Sequence, residues 1–214
     1  MDTTLADLRQ EYSQRSLDRS DVLPDPIAQF QEWFAEAQRA QIHEPNAMHL
    51  ATVSADGHPS GRVVLLKGIE AGSFRFFTNY RSEKGQHLQH HPYAALTFFW
   101  PELERQVRIE GAVSQLSDEQ SAAYFQSRPR GSQLGAWVSP QSEVIADRSV
   151  LEQRQQALTQ QYADQPIPRP PHWGGFALRA RRLEFWQGRP SRLHDRLRYQ
   201  QQDDNTWVIE RLAP

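Results

Sequence analysis

The sequence of 214 residues contains no cysteine. Disulfide bonds, thiolate metal sites, thiol nucleophiles and Cys-X-X-Cys redox motifs are therefore excluded. Any redox chemistry that this protein performs must come from a bound cofactor.

Long apolar segments are absent as well. No stretch approaches the ~18 apolar residues that a membrane span requires, and the mean hydropathy is −0.75. The segment Met1–Ser20 is charged and lacks the apolar run of a signal peptide. We therefore expect a soluble, cytoplasmic protein without a membrane partner.

Net charge and lysine are both scarce. The formal charge is −2 and lysine accounts for only two of the 24 basic residues, Lys67 and Lys84. Nucleic-acid binding is disfavoured because it normally requires a net basic surface. The planar guanidinium of arginine suits phosphates and carboxylates, but arginine is also an ordinary surface residue. Composition therefore suggests anion binding without establishing it.

Glycine-rich nucleotide-binding loops of the GxGxxG and GxxxxGK[ST] types do not occur. Asp25-Pro26 predicts the start of a helix that ends near Ile42. From Ala47 the apolar period changes to two, and turn signals separate short strands. The predicted strands are 48–53, 62–67, 74–78, 93–100, 106–116, 175–184, 196–201 and 207–211. Further helices are predicted over 82–91, over 143–163 and after the capping box at Ser117.

This order predicts a mainly β protein with helices, an α+β fold built on a small antiparallel split β-barrel. Residues 1–20 are expected to form a mobile arm or short helix. Residues 21–214 are expected to form a single domain.

Two clusters contain the lysines. Arg62 and Lys67 stand at the two ends of an apolar strand, which can place their head groups at a barrel rim. Lys84 lies at a predicted helix start after Phe77-Thr78, where backbone N–H groups and a cation favour phosphate. Solvated polar strand and helix ends remain the alternative for both clusters.

A third cluster surrounds Tyr124 and Arg128, which are four residues apart at the end of a predicted helix. Ser132 follows in a glycine-containing loop. A phenol, a guanidinium and a hydroxyl suit a phosphate monoester. The alternative is an arginine that complements the helix dipole.

The fourth cluster is the most specific. Arg192, His194 and Arg196 alternate, so that on a strand they would share one face and surround an anionic or electron-rich ligand. A solvated edge strand is the alternative. His87, His90 and His91 have metal-ligand spacing, but no carboxylate completes the set, so we expect no metal site.

At this fourth cluster the sequence resembles the pyridoxine/pyridoxamine 5′-phosphate oxidase family. The pattern Glu, aromatic, Trp, Gln, four variable residues and Arg-Leu-His-Asp-Arg fits 184–196 at every fixed position. RVVLLK, FFTN, ERQVRIEG, YFQSRPRGSQLGAWVS, QS and WGGF follow the family order. The resemblance extends from about Arg9 to the C-terminal Arg-Leu-Ala-Pro.

The resemblance implies a homodimeric FMN enzyme with two sites across the subunit interface. An enzyme of this family would be expected to convert pyridoxine or pyridoxamine 5′-phosphate to pyridoxal 5′-phosphate with O2 as acceptor, giving H2O2, and ammonia from the amine. The implied FMN residues from one subunit are Arg62, Val63, Val64, Leu65, Leu66, Lys67, Phe77, Thr78, Lys84 and Gln106. Those expected from the other subunit are Gln141, Ser142, Trp186 and Arg196.

The implied substrate residues include a quartet for the phosphate: Lys67, Tyr124, Arg128 and Ser132. Arg192, Leu193 and His194 would lie at the pyridine ring, with Arg192 and His194 as catalytic residues. An arm of Arg9, Gln10, Glu11 and Tyr12 would close above it. The family commonly has an arginine where this chain has Glu83, which we expect to point to solvent while Arg62 and Lys84 bind the FMN phosphate. Arg81 could compensate for the missing arginine.

Three alternatives remain open. A split-barrel flavin oxidase could act on another ring, as in phenazine-pathway relatives, although the phosphate quartet argues against it. A non-catalytic protein could bind flavin or pyridoxal phosphate without consuming oxygen. An arginine-rich nucleic-acid binder would show steeply salt-dependent binding.

Overall fold

The computed structural model describes Thr4, Leu5, Leu8 and residues 11–214. Within these residues the chain forms nine strands and five α-helices. The strands are β1 (Ala47–Val53), β2 (Pro59–Leu65), β3 (Gly68–Glu70), β4 (Ser73–Asn79), β5 (Tyr93–Trp100), β6 (Arg105–Gln115), β7 (Trp173–Gln187), β8 (Asp195–Gln201) and β9 (Trp207–Leu212). The helices are α1 (Pro26–Arg39), α2 (Glu83–His90), α3 (Asp118–Ser127), α4 (Arg130–Val138) and α5 (Ser149–Gln161). No helix of the described residues is long and apolar enough to cross a bilayer.

Seven strands hydrogen-bond in the order β2-β1-β5-β6-β7-β4-β3, and β8 pairs with both β7 and β9. The pairs β3–β4, β4–β7, β7–β8 and β8–β9 are antiparallel. Strand β7 has two partners, because Trp173–Arg179 pairs with β4 and Arg182–Gln187 pairs with β8. The predicted α+β fold with an antiparallel split barrel is confirmed.

The chain divides into two compact units. The first comprises the residues up to His49, Ala95–Gly111 and Ala180–Pro214, and the second comprises Leu50–Ala94 and Ala112–Arg179. These units do not test the expected boundary at residue 20, which separates an N-terminal arm from a single domain of residues 21–214. That boundary stays a prediction.

The first unit is built on aromatic contacts between α1 and the strands. Phe30 lies 5.0 Å from Phe98, and Trp33 lies edge-on to Phe185 at 5.1 Å, both measured between ring centroids. Helix α1 begins as predicted, because the side chain of Asp25 accepts a hydrogen bond from the Ala28 amide at 2.8 Å.

The second unit has its own core. Phe125, Leu134, Ile167 and Trp173 are buried together. The capping box predicted at α3 is present, with reciprocal hydrogen bonds of 3.2 Å between Ser117 and Gln120.

One helix was missed from the sequence. Ser132 lies in α4, where a glycine-containing loop was expected, because the buried Leu134 and Val138 outweigh the low helix propensity of the glycines. The Gln133 side chain donates to the carbonyls of Phe125, Gln126 and Arg128 and so caps the preceding helix.

Two other expectations were wrong. Helix α5 begins at Ser149, and a start at residue 143 was expected. The Asp147 carboxylate accepts from the Ser149 amide at 2.7 Å at this helix start. Arg192 and His194 precede β8, so the predicted alternation along a strand does not occur. Pro190 opens a 3-10 turn, and Ser191 and Arg192 have positive φ angles of 57° and 64°.

Candidate active site

A pocket of about 760 Å³ opens in the second unit, and this volume is typical of small-molecule sites. Many of the residues predicted to bind FMN or the substrate phosphate line it: Arg62, Val63, Val64, Leu65, Lys67, Phe77, Thr78, Lys84, Tyr124, Arg128, Ser132 and Gln141. Sequence reasoning missed other lining residues: Asn79, Pro129, Gly135, Ala136, Ser139 and Trp173. Trp173 carries a usable signal, since it begins the WGGF motif.

Arg62 on β2 is fixed at one end of the pocket by its neighbours. Its Nη1 donates to Thr52 Oγ1 at 2.6 Å and to the Ser60 carbonyl at 3.0 Å, while Nη2 donates to Ser60 Oγ at 2.7 Å. Thr52 Oγ1 also lies 3.0 Å from Nδ1 of the buried His87. The guanidinium is therefore held in one orientation before any ligand binds.

Glu83 was expected to point to solvent, and its side chain is exposed. Its carboxylate also accepts from Ser60 Oγ at 3.0 Å and lies 3.9 Å from Arg62 Nη2 and 3.8 Å from His87 Nε2. The Ser60 hydroxyl holds the acid there by the one hydrogen bond among these contacts, and Arg62 lies within ion-pair distance. A negative charge therefore stands next to the Arg62 guanidinium.

Lys84 is buried at the start of α2. Its Nζ donates to Ser82 Oγ and to Gln141 Oε1, both at 3.3 Å, and Thr78 Oγ1 donates to the same oxygen at 3.1 Å. Burial, and then the nearby Arg62, lowers the pKa of the Lys84 ammonium. An anion bound at this point would oppose this shift, because an opposite charge favours the charged ammonium.

Gln141 was expected from the other subunit, and a contribution across the interface stays a prediction. Its side chain lines the pocket of its own chain because Thr78 and Lys84 both donate to it. Ser142 is exposed with a φ of 74° and is not among the lining residues described.

Three aromatic residues that line the pocket stack on one another: Phe77, Tyr124 and Trp173. Tyr124 stacks on Phe77 with ring centroids 3.8 Å apart, and Trp173 lies parallel to both rings. The Arg128 guanidinium carbon lies 4.5 Å from the Trp173 ring centroid, a cation–π contact.

Arg128 has an unsatisfied donor. Within the described part of the chain its buried Nη1 has no hydrogen-bond partner, and burial lowers the pKa of the guanidinium. A buried donor without a partner costs free energy, and an anion bound to it would compensate for that cost. The residues present thus fit a phosphorylated ligand.

Leu66 does not serve the pocket directly. Its side chain is buried in the core, and it is not among the lining residues described. Of the segment predicted to bind FMN, residues 62–65 and Lys67 therefore line the pocket, while Leu66 packs in the core.

The C-terminal cluster lies in the first unit. Trp186 and His194 are in contact, with ring centroids 4.6 Å apart, and Arg196 makes two hydrogen bonds to the buried Glu184. Leu193 and Arg192 are exposed on the turn before β8. Gln106 is half-buried on β6. In the described part of the chain, none of these residues lines the pocket of the second unit.

The His194 ring has a defined proton arrangement. The Arg189 amide donates to His194 Nδ1 at 3.1 Å, so a neutral ring holds its proton on Nε2. Burial, and then Arg192, lowers the pKa of this imidazole. The neutral form is therefore favoured at pH 7.

The N-terminal segment is described from Glu11 onward. Tyr12 lies edge-on to Trp186 at 5.6 Å and to His194 at 5.7 Å. Glu11 is exposed. The predicted arm residues Arg9 and Gln10 lie outside the described residues.

Two segments of the chain match known protein families. Residues 34–162 match the family described as pyridoxamine 5′-phosphate oxidase. Residues 173–214 match the C-terminal dimerisation region of pyridoxine 5′-phosphate oxidase. This second match covers the Trp186–Arg196 cluster.

Relatives and solved structures agree with these matches. Pyridoxine/pyridoxamine 5′-phosphate oxidases of Acaryochloris marina and Burkholderia multivorans are each 59% identical, and the alignments cover 99% of this chain and 96% and 100% of theirs. The structure of PhzG from Burkholderia lata, in complex with tetrahydrophenazine-1-carboxylic acid, has a TM-score of 0.88 at 30% identity, covering 96% of this chain and 100% of that one. An FMN-binding protein of Nostoc punctiforme, related to pyridoxamine 5′-phosphate oxidase, shares the fold with a TM-score of 0.71 at 20% identity, covering 89% and 98%. The chain belongs to the pyridoxine/pyridoxamine 5′-phosphate oxidase family of split-barrel flavoproteins, and its cofactor is FMN.

Proposed function

We propose that this protein oxidises pyridoxine 5′-phosphate and pyridoxamine 5′-phosphate to pyridoxal 5′-phosphate, with O2 as the electron acceptor and H2O2 as a product. The amine substrate would also release ammonia. The observation that carries the proposal is Arg128, which has a buried unpaired Nη1 and lines a pocket together with Lys67, Tyr124 and Ser132.

FMN when bound supplies a two-electron acceptor for oxidation of the substrate C4′ carbon. Arg62 and Lys84 would hold its phosphate, because both cations line one pocket and both are oriented by neighbours of the same unit. Thr78 and Gln141 would add neutral polar contacts.

Lys67, Tyr124, Arg128 and Ser132 would hold the substrate phosphate. Burial, opposed by the nearby Arg128, raises the pKa of the Tyr124 phenol, so Tyr124 remains a hydrogen-bond donor at neutral pH. Binding energy at the phosphate, remote from the reacting carbon, would orient C4′ for reaction.

The dimer would complete the site. The dimerisation match covers Trp186, Arg192, His194 and Arg196, none of which lines the pocket in the described part of the chain. We infer that Trp186 and Arg196 of the partner subunit contact FMN. Arg192 would position the substrate and stabilise charge. His194, neutral with its proton on Nε2, would orient polar groups of the ring or accept a proton.

A second candidate is favoured by one observation. The PhzG structure, 30% identical, binds a tetrahydrophenazine carboxylic acid, so a phenazine-type ring is a competing substrate. A ring carboxylate carries one negative charge and a phosphate monoester up to two. The two cations Lys67 and Arg128, which line the same pocket, therefore suit a phosphate better than a carboxylate. A cytoplasmic location stays a prediction.

The decisive experiment compares substrates. We expect the FMN-loaded protein to consume oxygen with pyridoxine 5′-phosphate and pyridoxamine 5′-phosphate, and to react far more slowly with dephosphorylated pyridoxine. Oxidation of a dihydrophenazine carboxylic acid with higher kcat/KM would favour the second candidate. Flavin binding without oxygen uptake on any of these compounds would contradict both.

A further inference from the structure

The chain from Tyr12 to Leu17 is fastened to its own unit by backbone hydrogen bonds. The amides of Ser13 and Gln14 both donate to Glu104 Oε2, at 2.9 and 3.0 Å. Farther on, the Leu17 amide donates to Asp195 Oδ2 at 3.0 Å. A single carboxylate oxygen that accepts from two consecutive amides makes two charge-assisted hydrogen bonds to the main chain.

Glu104 occupies an unusual backbone position. It is only 8% exposed and has a left-handed conformation, with φ of 52° and ψ of 39°. A residue other than glycine or asparagine is unfavourable there, by about 1 kcal/mol or more. The strain is explained if this site requires the carboxylate.

The turn that carries Glu104 is joined to the end of β7. The Glu104 carbonyl accepts from the Gly188 amide at 2.7 Å and from the Gln187 side chain at 3.2 Å. The position of the carboxylate is therefore fixed relative to Gly188.

Gly188 provides the space for Tyr12. A Cβ atom at residue 188 would lie 2.7 Å from both Cβ and Cγ of Tyr12, and 3.0 Å from Glu104 Cβ. Real Cβ atoms do not approach that closely, so any larger residue would displace Tyr12 from Trp186 and His194.

We propose that Glu104 and Gly188 are positioning residues for the substrate side of the site. Glu104 holds the main chain at Ser13 and Gln14, and Gly188 leaves the hollow that Tyr12 fills, so that the Tyr12 ring stays against His194. This inference rests on the proposed function, in which His194 contacts the substrate ring. Neither residue touches the pocket where FMN is expected to bind.

The test uses Glu104→Ala and Gly188→Ala in the full-length, FMN-loaded protein. Glu102→Ala is the matched control, because Glu102 lies on the same turn, is exposed, and contributes its carbonyl to Gln14 instead of its carboxylate. We expect KM for pyridoxine 5′-phosphate to rise by about fivefold or more in both variants, from the loss of two charge-assisted hydrogen bonds or of the ring contact. The FMN dissociation constant and kcat should change by less than about twofold. In Glu104→Gln, which keeps an acceptor oxygen for the two amides, KM should rise less than in Glu104→Ala.

A second readout does not depend on activity. Trypsin cleavage after Arg9 and Arg15, followed by intact mass, should be faster by about fivefold or more in Glu104→Ala and Gly188→Ala than in Glu102→Ala. Unchanged cleavage, or an unchanged KM, would overturn the positioning role. A melting temperature lowered together with FMN affinity would also overturn it, because the effect would then be structural. If the wild-type protein oxidises neither phosphorylated substrate, the proposed function fails, and the cleavage rates alone decide whether the two residues hold the segment.

Discussion

The carboxylate of Glu184 accepts two hydrogen bonds from Arg196, from Nε at 2.8 Å and from Nη2 at 3.2 Å. Glu184 and Trp186 both lie on β7, and Arg196 lies on β8 directly across from Trp186. The pair raises the pKa of the Arg196 guanidinium, chiefly through the hydrogen bond to Glu184. Since Glu184 is buried, it fixes the planar head group in one orientation.

We therefore predict that Glu184→Gln weakens FMN binding. The charge-assisted pairing would be lost, and the FMN dissociation constant, measured by quenching of flavin fluorescence, should rise by about fivefold. Glu210→Gln is the control. Glu210 lies on β9 and its Oε2 accepts from Nε of Arg198 at 3.0 Å and from Nη2 at 2.7 Å, and Arg198 lies on β8 as Arg196 does. An equal loss of affinity in both variants would show that Arg196 is not the FMN contact.

Replacing Arg128 should separate ligand binding from stability. Arg128→Leu removes a buried donor that lacks a partner, and it also removes the cation–π contact with Trp173. These effects are both about 1–2 kcal/mol and oppose each other, so the melting temperature of the FMN-free protein should change little. The kcat/KM for pyridoxine 5′-phosphate should fall by about tenfold or more.

The matched control for that experiment is Arg130→Leu. Arg130 lies two residues away, is exposed, and donates to backbone carbonyls including that of Gln165. Its replacement should leave kcat/KM within about twofold of the wild type. Loss of activity with dephosphorylated pyridoxine as large as that with the phosphate would contradict a phosphate role for Arg128.

Glu83→Gln should strengthen FMN binding. The substitution removes a negative charge 3.9 Å from Arg62 while it keeps an acceptor for Ser60. At low salt the FMN dissociation constant should fall by about threefold, and the difference should shrink as ionic strength rises. Glu152→Gln, on exposed α5 beside Arg148, controls for net charge. Weaker binding in Glu83→Gln would mean that the acid orients Arg62 more than it competes with FMN.

The lowered pKa of His194 gives a pH prediction. Protonation would place a proton on Nδ1 and break the hydrogen bond from the Arg189 amide. The stability that the neutral ring provides should be fully present above the unfolded pKa of histidine, ~6.5, and be lost as pH falls through the lower folded-state pKa. Activity depends on the folded enzyme, so its acidic limb should lie below pH ~6.5.

The same group can be shifted by a neighbour. Arg192 is the second cause of the lowered pKa, after burial, so Arg192→Gln should move the acidic limb of the kcat/KM profile to higher pH while it lowers kcat. A limb that stays in place would show that a group other than His194 titrates. The profile of His194→Asn, which should lose the limb, identifies the group directly.

The helix caps and strands of this chain that depend on neighbours in sequence could be predicted. The cap at Asp25, the capping box at Ser117 and the strand β5 follow from hydrogen-bond chemistry and periodicity within a few residues. Helix α4 could not be predicted in the same way, since its glycines oppose it and only the burial of Leu134 and Val138 favours it.

In the candidate site, too, some features could be predicted from the sequence and others depend on tertiary contacts. The sequence by itself determined which residues could bind anions, because phenol, guanidinium and ammonium groups have that chemistry wherever they lie. Only the tertiary structure decided that Glu83 lies beside Arg62, that Gln141 reaches Lys84 of its own chain, and that Glu104 receives the segment after Tyr12. These contacts join residues far apart in the chain or on different elements, and their distances depend on the packing of the whole unit.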